Sequence, residues 1–240
     1  MTETAVTETA GRTPDAALRA DGVGRVFGRG ANEVHALRDV SLVARAGELL
    51  VVRGPSGSGK TTLLNILGGL DRPTSGEVVL AGERTLSAMR ERDVLQVRRR
   101  EIGYVFQSFG LVPVLSAAEN VEVPLRLQGV EPRERAERVA RALALVGLDA
   151  HAAQRPYELS GGQQQRVGIA RALVAEPAVL IADEPTGQLD SGTAATVMDL
   201  VREVVHERGV AAVVSTHDPL LVQRADRVVE LHDGRVVQPG

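Results

Sequence analysis

Apolar runs in this chain stop repeatedly at glycines or at carboxylates, and helical patterns fill the gaps between them. Leu49-Leu50-Val51-Val52 is a short continuous run closed by Gly54, the pattern of a strand buried on both faces. Downstream, Leu63, Leu64, Ile66, Leu67 and Leu70 recur at helical spacing over Thr61 to Leu70. Ile102 to Phe106 reads as a further strand, and Val179 to Ala182 and Val210 to Val214 as two more buried ones. Pro132 to Leu148 predicts a helix with Ala136, Val139, Ala140, Leu143 and Val146 on one face and Gly147 near its end. Ser191 to Arg208 predicts an amphipathic helix stopped by Gly209. Leu18 to Ala46 holds short strand-like pieces around a turn at Gly28-Arg29-Gly30, and Asp233-Gly234 marks a hairpin between Val228–Leu231 and Arg235–Val237. No internal repeat is visible. Strands alternating with helices imply an α/β fold with a mostly parallel sheet.

Composition narrows the class. The 240 residues are 43% apolar and 25% charged, ordinary for one large globular domain, and the formal charge of −3 gives no electrostatic reason to expect nucleic acid as a partner. Without cysteine there is neither a disulfide framework nor a thiolate metal site. The longest uncharged stretch, Ile102 to Ala118, contains Gln107, Ser108, Gly110 and Pro113, and falls short of the roughly 20 apolar residues a membrane helix requires. Residues 1–15 are rich in Thr, Glu and Ala without an apolar centre. They read as a disordered tail rather than a signal peptide, ahead of a domain spanning 16–240.

Lys60 is the only lysine among the 28 Lys and Arg residues. It falls in Gly54-Pro55-Ser56-Gly57-Ser58-Gly59-Lys60-Thr61, a full G-x-x-x-x-G-K-[ST] phosphate-binding loop between a strand and a helix. Arginine-biased composition explains why lysine is rare but not why it stands here. A compact ammonium fits a narrow cradle of backbone N–H groups better than a planar guanidinium does. Gly57 and Gly59 let the backbone approach phosphate, and the helix adds its positive end. Lys60 would neutralise the β- and γ-phosphates, and the Thr61 hydroxyl would bind Mg²⁺. Val179-Leu180-Ile181-Ala182-Asp183-Glu184 delivers two acids at a strand's carboxyl end, where open α/β sheets bind ligands. Asp183 would hold Mg²⁺ through its water shell, and Glu184 would polarise an attacking water.

Leu159-Ser160-Gly161-Gly162-Gln163-Gln164-Gln165-Arg166 closely resembles the signature motif of ATP-binding cassette (ABC) ATPases. The resemblance covers about Leu18 to Val237. It implies a P-loop NTPase fold with an N-terminal antiparallel β subdomain and an inserted helical subdomain at about 108–165. By the same resemblance Gln107 is the Q-loop residue that touches Mg²⁺ and the water, Leu189 and Asp190 belong to the D-loop, and His217 is the switch histidine. Phe27 aligns with the aromatic that stacks on adenine, a core phenylalanine being the alternative. ATP contacts extend from Gly54, Pro55, Ser56, Gly57, Ser58, Gly59, Lys60 and Thr61 to Thr62. His35, His151, His206 and His232 lack such context and read as solvated surface residues. Gln188 stands where the nearest branch usually has asparagine.

Phe106 to Leu115, Glu119-Asn120-Val121 and Asp183 to Asp190 are similar to the lipoprotein-release and macrolide-export branch. The resemblance implies a homodimer formed on ATP binding, head to tail, in which Leu159, Ser160, Gly161, Gly162 and Gln163 of one copy face the phosphate loop of the other. It also implies a separate membrane permease, with the chain peripheral on the cytoplasmic face of the membrane, driving export or extraction of a hydrophobic substrate. A regulatory cassette of a cell-division-type complex is the alternative. An ATPase acting on DNA or ribosomes is disfavoured, since this chain has neither a long coiled-coil insertion nor a second cassette. Phe109 to Leu115 is either the permease docking surface or subdomain core.

Overall fold

The computed structural model describes residues 16–81 and 84–237; the tail expected over residues 1–15 lies outside them. At its centre is a six-stranded sheet in the order β10-β9-β3-β8-β7-β6. These strands are β3 (Leu49–Arg53), β6 (Ile102–Val105), β7 (Val179–Asp183), β8 (Ala211–Thr216), β9 (Arg227–His232) and β10 (Arg235–Val237). All pairings from β9 to β6 are parallel, and only the β9–β10 hairpin is antiparallel. The sheet is therefore mostly parallel, and the near-continuous apolar runs in β3, β7 and β8 follow from burial on both faces.

Two cores flank that sheet, and consecutive residues of a strand alternate between them. Leu49 and Val51 join Leu180, Ala182, Ala212 and Val214 on the side of α3 (Ala117–Leu127), α4 (Pro132–Leu145), α5 (Gly161–Leu173) and α6 (Ser191–Arg208). Leu50 and Val52 join Ile181, Ala211 and Val213 on the other side. That second core is closed by α1 (Lys60–Leu67), α2 (Glu91–Arg100) and an antiparallel sheet ordered β2-β1-β4-β5. Each fully buried leucine contributes roughly 1.5–3 kcal/mol, so Leu63, Leu64 and Leu67 alone anchor α1, and with it the phosphate loop, firmly to the sheet.

The region expected as short strand pieces forms two twelve-residue strands, β1 (Ala16–Phe27) and β2 (Val34–Arg45). Their register shifts between Ala20 and Val23 and again near Arg25. Each bulge reverses which residues face inward, and that breaks the period-2 pattern in the sequence. β4 (Ser75–Leu80) and β5 (Arg84–Thr85) complete this sheet.

Two helices are hard to see in the sequence. α2 buries only Val94 and Val97 among six charged residues, and α3 carries Pro124 inside it. What starts α3 is a capping box: the Ser116 hydroxyl accepts the Glu119 N–H, and the Glu119 carboxylate accepts the Ser116 N–H at 2.8 Å. The helix expected at 191–208 occupies those residues, capped by Asp190 and ended by Gly209 in the left-handed conformation.

Candidate functional site

β3 ends at Arg53, the chain turns through Gly54–Gly59, and α1 begins at Lys60. Gly57 (φ 80°) and Gly59 (φ 102°) hold the left-handed geometry that the turn demands. A Cβ at Gly57 would meet nothing within 4 Å, so this side of the loop is open to a ligand. The Lys60 side chain is buried and folds back over the loop, its Nζ donating to the carbonyls of Gly54 (2.8 Å) and Pro55 (3.1 Å). Ser56, Gly57, Gly59, Lys60, Thr61 and Thr62 line a cleft of about 840 Å³.

Across that cleft stands the acidic end of β7. The Ser215 hydroxyl, buried at the end of β8, donates to Asp183 Oδ1 at 2.7 Å and accepts the Glu184 N–H at 2.8 Å. One serine thus orients the Asp183 carboxylate and fixes the backbone of Glu184, whose φ of 42° is unusual for a non-glycine residue. The Glu184 carboxylate is ringed by three groups from three other segments. Lys60 Nζ lies 3.7 Å from Oε1, His217 Nδ1 lies 3.3 Å from Oε1, and Gln107 Nε2 lies 3.5 Å from Oε2. Behind Asp183, burial and the nearby Asp183 charge push the Tyr104 phenol well above its ordinary value, and its hydroxyl donates to Asn65 of α1 at 2.8 Å. This aligned set can hold a polyanion, neutralise it and present a carboxylate to whatever attacks it.

The structure therefore brings Gln107, Glu184 and His217 together around Lys60. It does not bring Leu159, Ser160, Gly161, Gly162 or Gln163 to the cleft: none of them lines it. Ser160 instead caps α5, accepting the Gln163 N–H and donating its own N–H to Gln163 Oε1 at 2.8 Å. Ser160 is exposed while Leu159 is buried in the helical-side core. Asp190 caps α6 by accepting the Thr193 N–H at 3.0 Å, and the hydrogen bonds from Thr193 hold its carboxyl below the usual carboxylate range. Thr193 crowds Gly162, so the starts of α5 and α6 are packed together.

Phe27 is 41% exposed but does not line the cleft; its cross-strand partner Val34 does. The Arg25 guanidinium covers one Phe27 face at 4.4 Å and is itself tied to Asp71 at 2.9 Å. In the segment Phe109 to Leu115, Leu111 packs on the helical-side core whereas Val112 and Val114 are exposed. Phe109 and Gly110 both have positive φ, and their carbonyls are held by the Arg171 guanidinium at 3.2 and 2.6 Å.

Sequence reasoning missed three residues at the cleft or beside the start of α5: Ser215, His35 and His151. Ser215 was visible only as part of a tetrapeptide around His217. His35 is exposed but lines the cleft with Arg38. His151 is half-buried and in contact with Gln163 (Nε2 to Nε2, 3.3 Å), whereas His206 is exposed, as expected, and pairs with Asp226 at 2.8 Å. Cross-strand register and helix packing place these side chains, and no local pattern reports them.

Comparison with known proteins finds relatives over most of the chain. The family model for ABC transporters matches residues 37–187. A Thermotoga maritima protein described as an uncharacterized ABC transporter ATP-binding protein is 49% identical over 214 residues, covering 89% of this chain and 91% of its own. The lipoprotein-releasing system ATP-binding protein LolD of Chromohalobacter salexigens is 45% identical over 219 residues, covering 91% and 92%. Among solved structures, the dimeric post-hydrolysis state of the ATP-binding cassette MJ0796 bound to ADP and Pi superimposes with a TM-score of 0.84. It is 40% identical to this chain and covers 92% of it and 97% of its own length.

Proposed function

This chain belongs to the ABC transporter family as an ATP-binding ATPase subunit, and on that footing we propose that it hydrolyses ATP in two composite sites of a head-to-tail dimer, driving a separate permease of the lipoprotein-release type. One observation carries the reading: Lys60, Gln107 and His217 converge on Glu184 at the cleft, while Ser160-Gly161-Gly162 stands elsewhere on the same chain with its cap geometry already formed. A second copy supplies that segment to the cleft.

In this reading the Gly54–Gly59 backbone and the Lys60 ammonium bind the phosphates. Glu184 takes the proton of the attacking water, with His217 and Gln107 orienting its two oxygens. The donor chemistry fits Mg²⁺: the Thr61 hydroxyl, the Gln107 amide and the Asp183 carboxylate are all oxygen donors, and among the described residues no cluster of three acids or histidines exists to hold a cation without phosphate. Bound there, the ion would screen the charge of the β- and γ-phosphates.

Among the described residues no helix is long and apolar enough to cross a membrane. The permease site we propose is an apolar groove between α2 and α3. Leu70, Leu95, Phe106 and Leu127 are exposed along it, beside Arg98 and Arg99. It begins one residue before Gln107, so a segment seated there bears directly on the glutamine that contacts Glu184.

The decisive experiment measures ATP hydrolysis by the purified chain against its concentration. Composite sites require the rate to rise with the square of concentration below the dimerisation constant. A rate that is strictly first order, with no ATP-dependent dimer on gel filtration, overturns the composite-site reading.

A further inference from the structure

The glycines of the phosphate loop do different work. Gly57 faces open space, whereas Gly54 and Gly59 face protein backbone. A Cβ at Gly59 would lie 2.5 Å from the Ala36 carbonyl oxygen of β2, and one at Gly54 would collide with the Leu231 carbonyl of β9. The loop is therefore pressed from behind by two segments remote in sequence. A third glycine joins them. Gly234, at the tip of the β9–β10 hairpin, donates its N–H to the Ser58 carbonyl at 3.0 Å and accepts the Arg38 N–H on its own carbonyl at 2.7 Å.

We infer that the Asp233-Gly234 turn is a clamp that sets the phosphate-binding shape of the Gly54–Gly59 loop, with Gly234 as its positioning residue. The inference rests on the reading that this loop binds nucleotide phosphate. Gly234 bonds Ser58, the residue between the two glycines whose amides must turn toward phosphate, and ties it through Arg38 to the antiparallel sheet. Two features make the contact depend on glycine. Its φ of 74° is left-handed, and an added Cβ would stand 2.6 Å from the Ala36 oxygen and 3.1 Å from the Leu37 Cα, both backbone atoms that cannot swing away. The turn also lines the cleft, so it sits close enough for a small displacement to reach the loop. Asp233 (φ 46°) shares the left-handed geometry, as a two-residue hairpin turn of this kind requires.

The test compares ADP affinity, and KM and kcat for ATP, in the wild-type chain and three variants. Gly234→Ala forces the turn off Ser58. Insertion of two glycines after Asp233 lifts it off without adding a Cβ, and keeps the proposal testable if Gly234→Ala fails to fold. Gly209→Ala is the control: Gly209 has a similar φ of 65°, open space around its Cβ position and no contact with the loop. A clamp predicts that both hairpin variants weaken ADP binding and raise KM by at least about tenfold with kcat little changed, since sub-ångström misplacement of binding groups acts at that scale. Amide exchange across 54–61 should quicken in both, and Gly209→Ala should lower the melting temperature without moving ADP affinity. Wild-type affinity in either folded hairpin variant, or equal weakening in Gly209→Ala, overturns the clamp alone. Failure of the wild-type chain to bind ADP overturns the nucleotide reading and the clamp with it.

Discussion

Glu184 Oε1 stands 3.7 Å from Lys60 Nζ, so the carboxylate at the end of one parallel strand is paired with the ammonium that follows another. Between β3 and β7 lies β8, whose Ser215 sets the Glu184 backbone and whose end leads to His217. Sheet pairing spaces the strand ends, and the Gly54 and Pro55 carbonyls hold the ammonium in place.

Replacement of that carboxylate separates binding from chemistry. Glu184→Gln keeps the shape of the residue and removes its basicity, so turnover should fall by about 10²–10⁴-fold while ATP still binds. An ATP-dependent dimer should persist on gel filtration because hydrolysis no longer releases it. Wild-type turnover from this variant would remove Glu184 as the base.

Lys60→Ala removes a buried ammonium whose present partners are the Gly54 and Pro55 carbonyls. Charge-assisted hydrogen bonds contribute about 1.5–3 kcal/mol, so ATP affinity should weaken roughly 10- to 100-fold. Titration with a fluorescent ATP analogue measures it, and an unchanged dissociation constant would contradict the role given to the lysine.

Asn120 is fully buried in α3 and holds the Val112–Ser116 turn by its amide. Its Oδ1 accepts the Val112 N–H at 2.7 Å, and its Nδ2 donates to the carbonyls of Val112, Leu115 and Ser116. Asn120→Ala strands several buried groups at once and should destabilise the chain by about 2–4 kcal/mol in urea unfolding. A loss below about 0.5 kcal/mol, the range of ordinary surface changes, would mean that the turn finds other partners.

A weaker, pH-dependent effect is expected where α2 meets β5. Arg84 grips Glu101 with two hydrogen bonds (2.8 and 2.5 Å), and that grip holds the Glu101 carboxyl below the ordinary glutamate value despite partial burial. A carboxyl lowered in the folded state adds stability above its unfolded value and loses it as pH falls through its folded one. Glu101→Gln should therefore cost about 0.5–1 kcal/mol at neutral pH, as part-exposed ion pairs do, and progressively less on acidification below the glutamate range. An equal deficit at neutral and strongly acidic pH would show that the charge is not the cause.

Sequence alone disclosed the parts of the site that are contiguous. The strand–loop–helix around Lys60 and the two acids ending β7 are each legible within a few residues, and the helix at 191–208 announces both its ends. Hidden were the relationships made by folding. Ser215 matters because β7 and β8 are neighbours in register, Asp183 opposite Ser215. His151 meets Gln163 only because the chain between them folds back on the start of α5. Long β1 and β2 are disguised by their own bulges, and α2 by a sequence so charged that it buries only two valines.

Strand β3 sends Leu49 and Val51 into one core and Leu50 and Val52 into the other. Because the two sets of side chains never touch across the backbone, volume lost on one face cannot be refilled from the other. Each face must be repacked from within, but each can also be exchanged independently. A chimera carrying the helical half of a relative on this chain's antiparallel half needs to match only at the strand backbones. That separability would let lineages refit one side of the molecule while the phosphate loop stays as it is.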